Sequence, residues 1–498
     1  MCIPGTGGTG KSHLIQAITT YFKLTNRERA LRKLAPTAVA ASNIDGQTIH
    51  SFLVPVQGVH KSVRPGDSKV EREWQDVEYV FIDEMSMVGL NLLARLAATI
   101  TIGKSAPAEL PFGGVNLVLF GDYIQYSPVM DKALYTNLEN ELTTKAKKVK
   151  PLREVDIKYR AGRSIMLQIN CVVKLTQQMR TVDQRYSELL DRLRLGTCTR
   201  EDYELLCTRV VGPNNIVKSL NLPPWKDAVI LVYLNELRTE LNGMAVLDKC
   251  YEIAVPPVIC VAEDTFKVET VNVPNFRSHV LSLPDNKTEL LPGYLPLVPG
   301  MPVLLTNNIA DELGISTGTS GIFRNLVYEA STENPKSDGK TITFPSGTVF
   351  IQKPLYALVE IPKSKLEEKL TLISKRSQVD VKPLLSKPVH KPLRNTRITA
   401  TRKQLPFVPA YAITTHKSQG QTMAKIIVDL VYLTSKNAET ASAYVPLSRA
   451  KRLEDLAIYR PFPYKSLLIQ PTSDQTNELR RLETLNTQTL DRYQNARM

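Results

Sequence analysis

Long apolar runs are what this sequence most plainly lacks. No stretch of about 18 or more uninterrupted apolar residues occurs, and the first residues show no basic segment leading into an apolar one. Membrane-spanning and secreted classes are therefore not expected. Cysteine is sparse, with six among 498 residues. Cys2, Cys171, Cys198, Cys207, Cys250 and Cys260 form no C-x-x-C pair, and no histidine pair stands beside them. A zinc ribbon is disfavoured, and scattered reduced thiols suit an intracellular protein. Internal repeats and long low-complexity tracts are missing too. With 43% apolar and 22% charged residues, the chain is too apolar to be disordered and long enough for two to four domains.

What is present is basic charge, unevenly placed. The net charge is +14. Between Lys353 and Lys403 there are 13 Lys or Arg against 4 Asp or Glu, and between Lys145 and Arg163 there are 8 against 2. Such patches are either the footprint of a polyanionic partner or solvated basic faces.

The first part alternates short apolar runs with helical stretches. Tyr79 to Ile82 and Val115 to Phe120 read as buried parallel strands, each ending beside an acidic residue. That pattern predicts an α/β sheet with ligands at the carboxyl ends of its strands. Tyr186, Leu189, Leu190 and Leu193 share one helix face, with Gly196 as a C-cap. Thr199 and Asp202 form an acidic capping box. Gly212 to Asn215 and Pro223-Pro224 read as a linker, after which Asp227 to Val232 opens a second α/β unit that resumes at Ile426 to Asp429. Between them, residues 325–405 are rich in Pro and Lys with strand-like pieces at Thr341–Phe344, Thr348–Ile351 and Leu355–Ile361, a small β-rich insertion. The expected domains are a first α/β domain at 1–215, a second at 225–324 and 406–464, the insertion at 325–405, and a polar helix-like tail at 465–498.

Gly5-Thr6-Gly7-Gly8-Thr9-Gly10-Lys11-Ser12 fits the phosphate-loop pattern G-x-x-x-x-G-K-[ST]. Gly5, Gly7, Gly8, Thr9 and Gly10 supply backbone N–H groups for the phosphates, Lys11 reaches the β/γ oxygens, and the Ser12 hydroxyl can ligate Mg²⁺. The helix that starts there adds its positive end. Asp83-Glu84 supplies the expected second half, one carboxylate holding Mg²⁺ and its neighbour orienting the attacking water. ATP and Mg²⁺ follow as ligands, though a kinase, a GTPase and a helicase share these two elements.

The remaining motifs discriminate. Ala35 to Ala41 with Asp45 to Phe52, Ile82 to Val88, Pro111 to Gly114 continuing to Gly121–Gln125, Leu175 to Arg180, Thr415 to Thr422 and Tyr444 to Arg449 resemble, in order, motifs Ia to VI of the Pif-type, superfamily-one, RecD-like helicases. The ordered set spans nearly the whole chain. The resemblance implies an α/β protein of two RecA-like P-loop motor domains, with a small β-barrel-like insertion in the second. It implies an ATP-dependent DNA helicase that moves 5′→3′ on single-stranded DNA and opens tailed duplexes, in repair, recombination or telomere maintenance. Nuclear residence, or mitochondrial, goes with that motor type and with the basic run at Lys145 to Lys150.

Residue roles follow from the same resemblance. Gln125 would sense the γ-phosphate. Arg180 and Arg449 would act as arginine fingers, worth ~10³–10⁵ in rate or ~4–7 kcal/mol of barrier. Gly420 would join the nucleotide site. DNA would be met by Thr37, His50, Ser51, His416 and Ser418, residue types that position a backbone without reading sequence, and Phe52 would either stack on a base or pack in the core. A wedge element would occupy residues 53–74, and Pro299 to Val303 with Gly318 to Gly321 would lead into the insertion.

Ala38 stands where the family usually has glycine, and Tyr126-Ser127 where it has Leu-Pro. The family also places a full strand and an adenine-reading helix before the phosphate loop, whereas here Met1 to Pro4 precede it and Pro4 cannot donate to a ladder. The expectation is an N-terminally shortened helicase whose first sheet keeps unpaired backbone groups, and the alternative to an active motor is a catalytically impaired nucleic-acid-binding remnant, with a mobile element as one source.

Overall fold

A computed structural model of the chain describes residues 1–53, 68–138, 153–266, 274–288, 290–309, 315–328, 345, 347–352, 354–362, 370–373, 377–381, 400–431 and 438–496. Most of the wedge segment, the basic run at 145–150 and much of the insertion lie outside these residues. Among the described residues no helix is long and apolar enough to cross a membrane. The chain forms two compact units, Met1–Lys226 with Ser418–Met498, and Asp227–Lys417.

In the first unit, strands β1 (Cys2–Pro4), β2 (Leu31–Ala35), β3 (Gln47–Thr48), β4 (Tyr79–Ile82) and β5 (Asn116–Gly121) form one sheet in the order β1-β5-β4-β2-β3. All pairs are parallel. Helices α1 (Lys11–Leu24), α2 (Ala38–Asn43), α3 (Ile49–Leu53), α4 (Ser68–Trp74) and α5 (Leu90–Gly103) follow in the alternating order that parallel pairing requires. Both faces are covered. Ile3, Ile15, Phe81, Val118 and Phe120 pack on one side, and Val80, Ile82, Leu93, Leu96, Ile100 and Leu119 on the other, which is why β4 and β5 read as continuous apolar runs.

The short first strand is more fully paired than expected. The Met1 carbonyl accepts from Leu119 N and the Cys2 N–H donates to Cys171 O at 2.9 Å. On the same side Val173 N donates to Cys2 O and Leu175 N to Pro4 O. Pro4 thus sits where a carbonyl is needed and an N–H is not. The expected unpaired groups beside β1 are not there, because residues 171–175 flank it on the side away from β5.

Beyond the sheet come α6 (Glu154–Leu167), α7 (Gln184–Leu195) and α8 (Arg200–Cys207). Helix α7 buries Tyr186, Leu189, Leu190 and Leu193 and ends at Gly196 in the left-handed region. Thr199 and Asp202 make the reciprocal capping box of α8.

In the second unit, β6 (Val229–Val232) begins two residues after the unit boundary and is followed by α9 (Asn235–Glu252). Strands β7 (Val258–Val261), β8 (Glu263–Phe266), β9 (Tyr294–Leu297), β10 (Pro302–Leu305), β11 (Ser320–Val327), β12 (Val349–Gln352), β13 (Tyr356–Glu360), β14 (Leu370–Ile373), β15 (Ser377–Val381), β16 (Ala400–Gln404), β17 (Phe407–Pro409) and β18 (Ala412–Thr414) follow. A five-stranded antiparallel sheet, β14-β13-β11-β10-β17, includes β13 and β14 of the expected insertion together with strands on either side of it, and β18 pairs with β6 in parallel. The buried Arg402 is satisfied by a two-pronged pair with Asp264, 2.7 Å at each prong, and by the carbonyls of Leu291 and Val280.

The expected division of the chain differs at its end. Residues 418–498, split in the sequence reading between a second motor domain and a tail, group with the first unit. They contain β19 (Ile426–Val428), α10 (Thr440–Leu447), β20 (Leu456–Ile458) and α11 (Ser473–Asn495). Helix α11 is polar because its buried face works through hydrogen bonds. Gln475 donates to Tyr123 O, Glu478 pairs with Arg163 and Arg481, and the buried Leu482, flanked by the partly buried Leu479 and Leu485, supplies the apolar contacts to the core.

Candidate functional site

The phosphate loop leaves β1 and closes on α1, with Gly8 at φ 97° and Gly10 at φ 83°. Thr9 serves the loop itself, its hydroxyl donating to Thr6 O at 2.9 Å. Lys11 is buried and donates to the carbonyls of Gly5 (2.7 Å) and Thr6 (3.0 Å). Burial pushes its pKa down, opposed by the nearby charges of Glu84, Asp122 and Asp83.

Two strand ends bring the carboxylates there. After β4 the chain turns at Glu84, a non-glycine residue in the left-handed region at φ 51°. Such a conformation is uncommon outside glycine and clusters at functional sites. Asp83 is buried, and its pKa is pushed up by that burial and then by Glu84, while the Glu84 N–H, Lys11 and a hydrogen bond from Ser12 pull the other way. The Ser12 hydroxyl and the Asp83 carboxylate therefore face one another as a hard-oxygen pair. This donor set fits Mg²⁺, which takes few protein ligands and keeps waters and phosphates for the rest.

After β5 comes Asp122, which accepts from Arg194 through both oxygens and from Ile124 N. Gln125 directs its amide nitrogen at Asp122 (3.5 Å), and its Oε1 is buried without a hydrogen bond. A buried carbonyl oxygen left unmatched costs about 1–3 kcal/mol, and such an atom asks for a ligand.

Both expected fingers reach the loop. A β-carbon placed on Gly7 would lie 3.3 Å from Arg449 Nη2 and 3.6 Å from Arg180 Nη1. Arg180 is held by Ser448 O at 3.0 Å. Arg449 is buried and held by Val445 O, Gln421 O and the Ser448 hydroxyl. Burial and then the charge of Arg180 bring its pKa down to about 10. Two guanidinium groups and the Lys11 ammonium thus stand at the phosphate loop, a charge suited to phosphate oxygens.

Several residues in this cluster were not assigned a role from the sequence. Gln178 donates to Gly7 O (3.0 Å) and accepts from Arg180 N. Tyr444 accepts from Gly7 N (3.3 Å). Gln419 donates to Glu84 Oε2 (3.0 Å) and accepts from Tyr126 N, so it ties motif V to motifs II and III. The unusual Tyr126-Ser127 pair is accommodated here, with Tyr126 buried and the Ser127 hydroxyl 2.9 Å from that of Tyr135. Gly420 lies against the Glu84 carboxylate and Asn43, beside the acidic half of the site.

The expected DNA residues divide. Thr37 caps α2, accepting from Ala40 N and keeping its hydroxyl proton for another acceptor. His50 and Ser51 are exposed on α3. Phe52 is partly buried and packs edge-on against Trp74 at 5.0 Å. Ser418 is fully buried in this structure. In the second unit His416 lies near Tyr233, with its pKa lowered by burial.

Comparison with known proteins agrees with this geometry. Residues 1–204 match the family model described as PIF1-like helicase. The chain is similar to the ATP-dependent DNA helicase PIF1 of Xenopus laevis, 25% identical over 466 residues, covering 91% of this chain and 58% of that protein. The match thus spans less than two thirds of the relative's own length. Among solved structures it is similar to the Pif1 helicase of Candida albicans, with TM-score 0.62, 23% identity, and 97% of this chain and 95% of that one covered. It is also similar to a Bacteroides Pif1 solved in complex with ADP-AlF3 and single-stranded DNA, with TM-score 0.63, 19% identity, and coverage of 97% and 93%. The chain is thus PIF1-like in sequence through residues 1–204, and across 97% of its length it shares the fold of the Pif1 helicases.

Proposed function

We propose that this chain is the motor of an ATP-dependent DNA helicase, coupling ATP hydrolysis to 5′→3′ movement along single-stranded DNA and to the opening of tailed duplexes. The observation that carries the reading is the convergence of Arg180 and Arg449 on Gly7, on the same loop as Lys11 and beside Asp83 and Glu84. A kinase needs an acceptor site, whereas two arginines with a buried glutamine suit transfer to water.

The chemistry follows from the residues. The loop N–H groups and Lys11 bind the β- and γ-phosphates. Ser12 and Asp83 would hold Mg²⁺, which would supply charge neutralisation at the phosphate oxygens. Glu84 takes or orients the proton of the attacking water, and Gln125 Oε1 accepts a hydrogen bond from the same water. Arg180 and Arg449 stabilise charge on the transferring group, which is where most of the catalysis of phosphoryl transfer resides. Thr37, His50, Ser51 and His416 contact the DNA backbone. The bound ligands of the Bacteroides Pif1 structure, ADP-AlF3 and single-stranded DNA, support the same pairing of sites for this chain.

The test is ATP turnover with and without single-stranded DNA, followed by unwinding of duplexes tailed at either end. Stimulation by DNA and preference for a 5′ tail are expected. A 3′ preference contradicts the direction, binding without turnover identifies a remnant, and DNA-independent transfer to another acceptor identifies a kinase.

A further inference from the structure

Arg194 stands in the last turn of α7, where a basic residue ordinarily serves the helix end from solvent. This one is turned inward, with its side chain 13% exposed against an Asp122 carboxylate 3% exposed. Its fork grips both oxygens of Asp122, and its guanidinium lies 4.8 Å over the ring of Tyr444. Tyr444 in turn accepts the N–H of Gly7, and Asp122 receives the amide of Gln125.

We propose that Arg194 is a positioning residue for ATP hydrolysis, fixing Asp122 and Tyr444 so that Gln125 presents its carbonyl oxygen to the nucleotide cleft and the phosphate loop keeps Gly7 in place. The inference rests on the motor reading above. The logic is one of donors and acceptors. An ionised carboxylate only accepts, so it selects the NH₂ end of the Gln125 amide and leaves Oε1 facing away. That Oε1 is the buried atom without a partner. Burial alone would keep Asp122 protonated, but Arg194 outweighs it and, with Lys11 and the Ile124 N–H, holds the carboxyl below its usual range. Without the arginine, Asp122 would take up a proton or shift, and the Gln125 amide would be free to turn over and offer a donor where an acceptor is required.

The experiment measures DNA-stimulated ATP turnover and thermal unfolding for the wild type, Arg194→Met, Arg194→Lys, Gln125→Ala and the Arg194→Met/Gln125→Ala pair. Arg194→Met should lower kcat by about 10²-fold, the scale for a misplaced catalytic group, with KM for ATP changed by less than about threefold. Arg194→Lys, with one prong in place of two, should fall between. Because Arg194 acts through Gln125, the double variant should lie within about threefold of the worse single variant, not at the product of the two losses. Arg194→Met leaves a buried carboxylate unpaired, so Asp122→Asn/Arg194→Met removes both charges. It should regain the melting temperature and keep the low kcat. Wild-type kcat in Arg194→Met, multiplicative losses in the double variant, or a kcat restored together with stability would each overturn the inference. A wild-type chain that melts normally yet never turns over ATP would sink the motor reading and this inference with it.

Discussion

Two adjacent glycines of the phosphate loop make opposite predictions when each is replaced by alanine. Gly8 has φ 97°, and a β-carbon there would fall inside contact distance of Gln178 Oε1 and 2.6 Å from Arg180 Cβ. The left-handed backbone costs a non-glycine residue about 1–2 kcal/mol. Moving Gln178 forfeits its bonds to Gly7 O and Arg180 N, each worth about 0.5–1.5 kcal/mol. Gly8→Ala should therefore lose roughly 2–5 kcal/mol, a fall in Tm of about 5–15 °C at the scale of a large domain. Gly7 has no positive φ, and its new methyl would meet Arg449 Nη2 at 3.3 Å, the Tyr444 hydroxyl at 3.5 Å and Arg180 Nη1 at 3.6 Å, side-chain ends that need give only slightly. With no left-handed backbone and no backbone clash, Gly7→Ala should lose only about 1 kcal/mol, less than Gly8→Ala. Yet its methyl stands where phosphate and fingers must meet, so turnover should drop at least about tenfold, since a finger is worth ~10³–10⁵. Differential scanning calorimetry and steady-state ATPase on both variants provide the measurement. A Gly7→Ala protein with normal turnover would mean that the arginines do not work at this point of the loop.

Further outcomes follow from the same site. Lys11→Ala and Glu84→Gln should each abolish ATP turnover, with Glu84→Gln still retaining nucleotide in an equilibrium binding assay because the phosphate cradle is intact. The raised pKa of Asp83 means that folding takes up a proton, so its contribution to stability is lost as pH rises from the unfolded value through the folded one. Asp83→Asn should thus be more stable than wild type without nucleotide at about pH 8, the difference closing toward about pH 4, as melting curves across pH would record. Affinity for single-stranded DNA, measured by fluorescence anisotropy, should fall with salt at roughly −0.7 per phosphate neutralised and vary little with base sequence.

What the sequence made legible is what lies within one turn or one strand. The phosphate loop, the acidic pair after β4, the Thr199–Asp202 box and the Gly196 cap depend on neighbours a few residues apart, and all formed as expected. Partners that meet only through the tertiary fold stayed hidden. Asp122 and Arg194 are 72 residues apart, Glu84 and Gln419 are 335, and Gly7 and Tyr444 are 437. Nothing in local spacing marks such pairs. Helix α11 read as a polar, helix-like tail because Gln475 and Glu478 are buried through polar bonds, which apolar periodicity does not register. Phe52 shows a different ambiguity, since an aromatic ring suits a base or a core equally, and here it is partly buried against Trp74.

Helix α11 also settles what becomes of the strand-like edge beside β1. Residues 171–175 run beside β1, and their outward N–H groups are taken by side chains of α11: Val172 N donates to Thr489 Oγ1 at 3.1 Å, and Lys174 N to Asn486 Oδ1 at 2.9 Å. An open edge of this kind is a template on which other chains can add strands. Two polar side chains on a helix thus occupy the positions that a neighbouring molecule's backbone would otherwise fill. Deleting residues 473–496, or replacing Asn486 and Thr489 with alanine, should make the chain self-associate edge to edge, even where the phosphate loop is untouched.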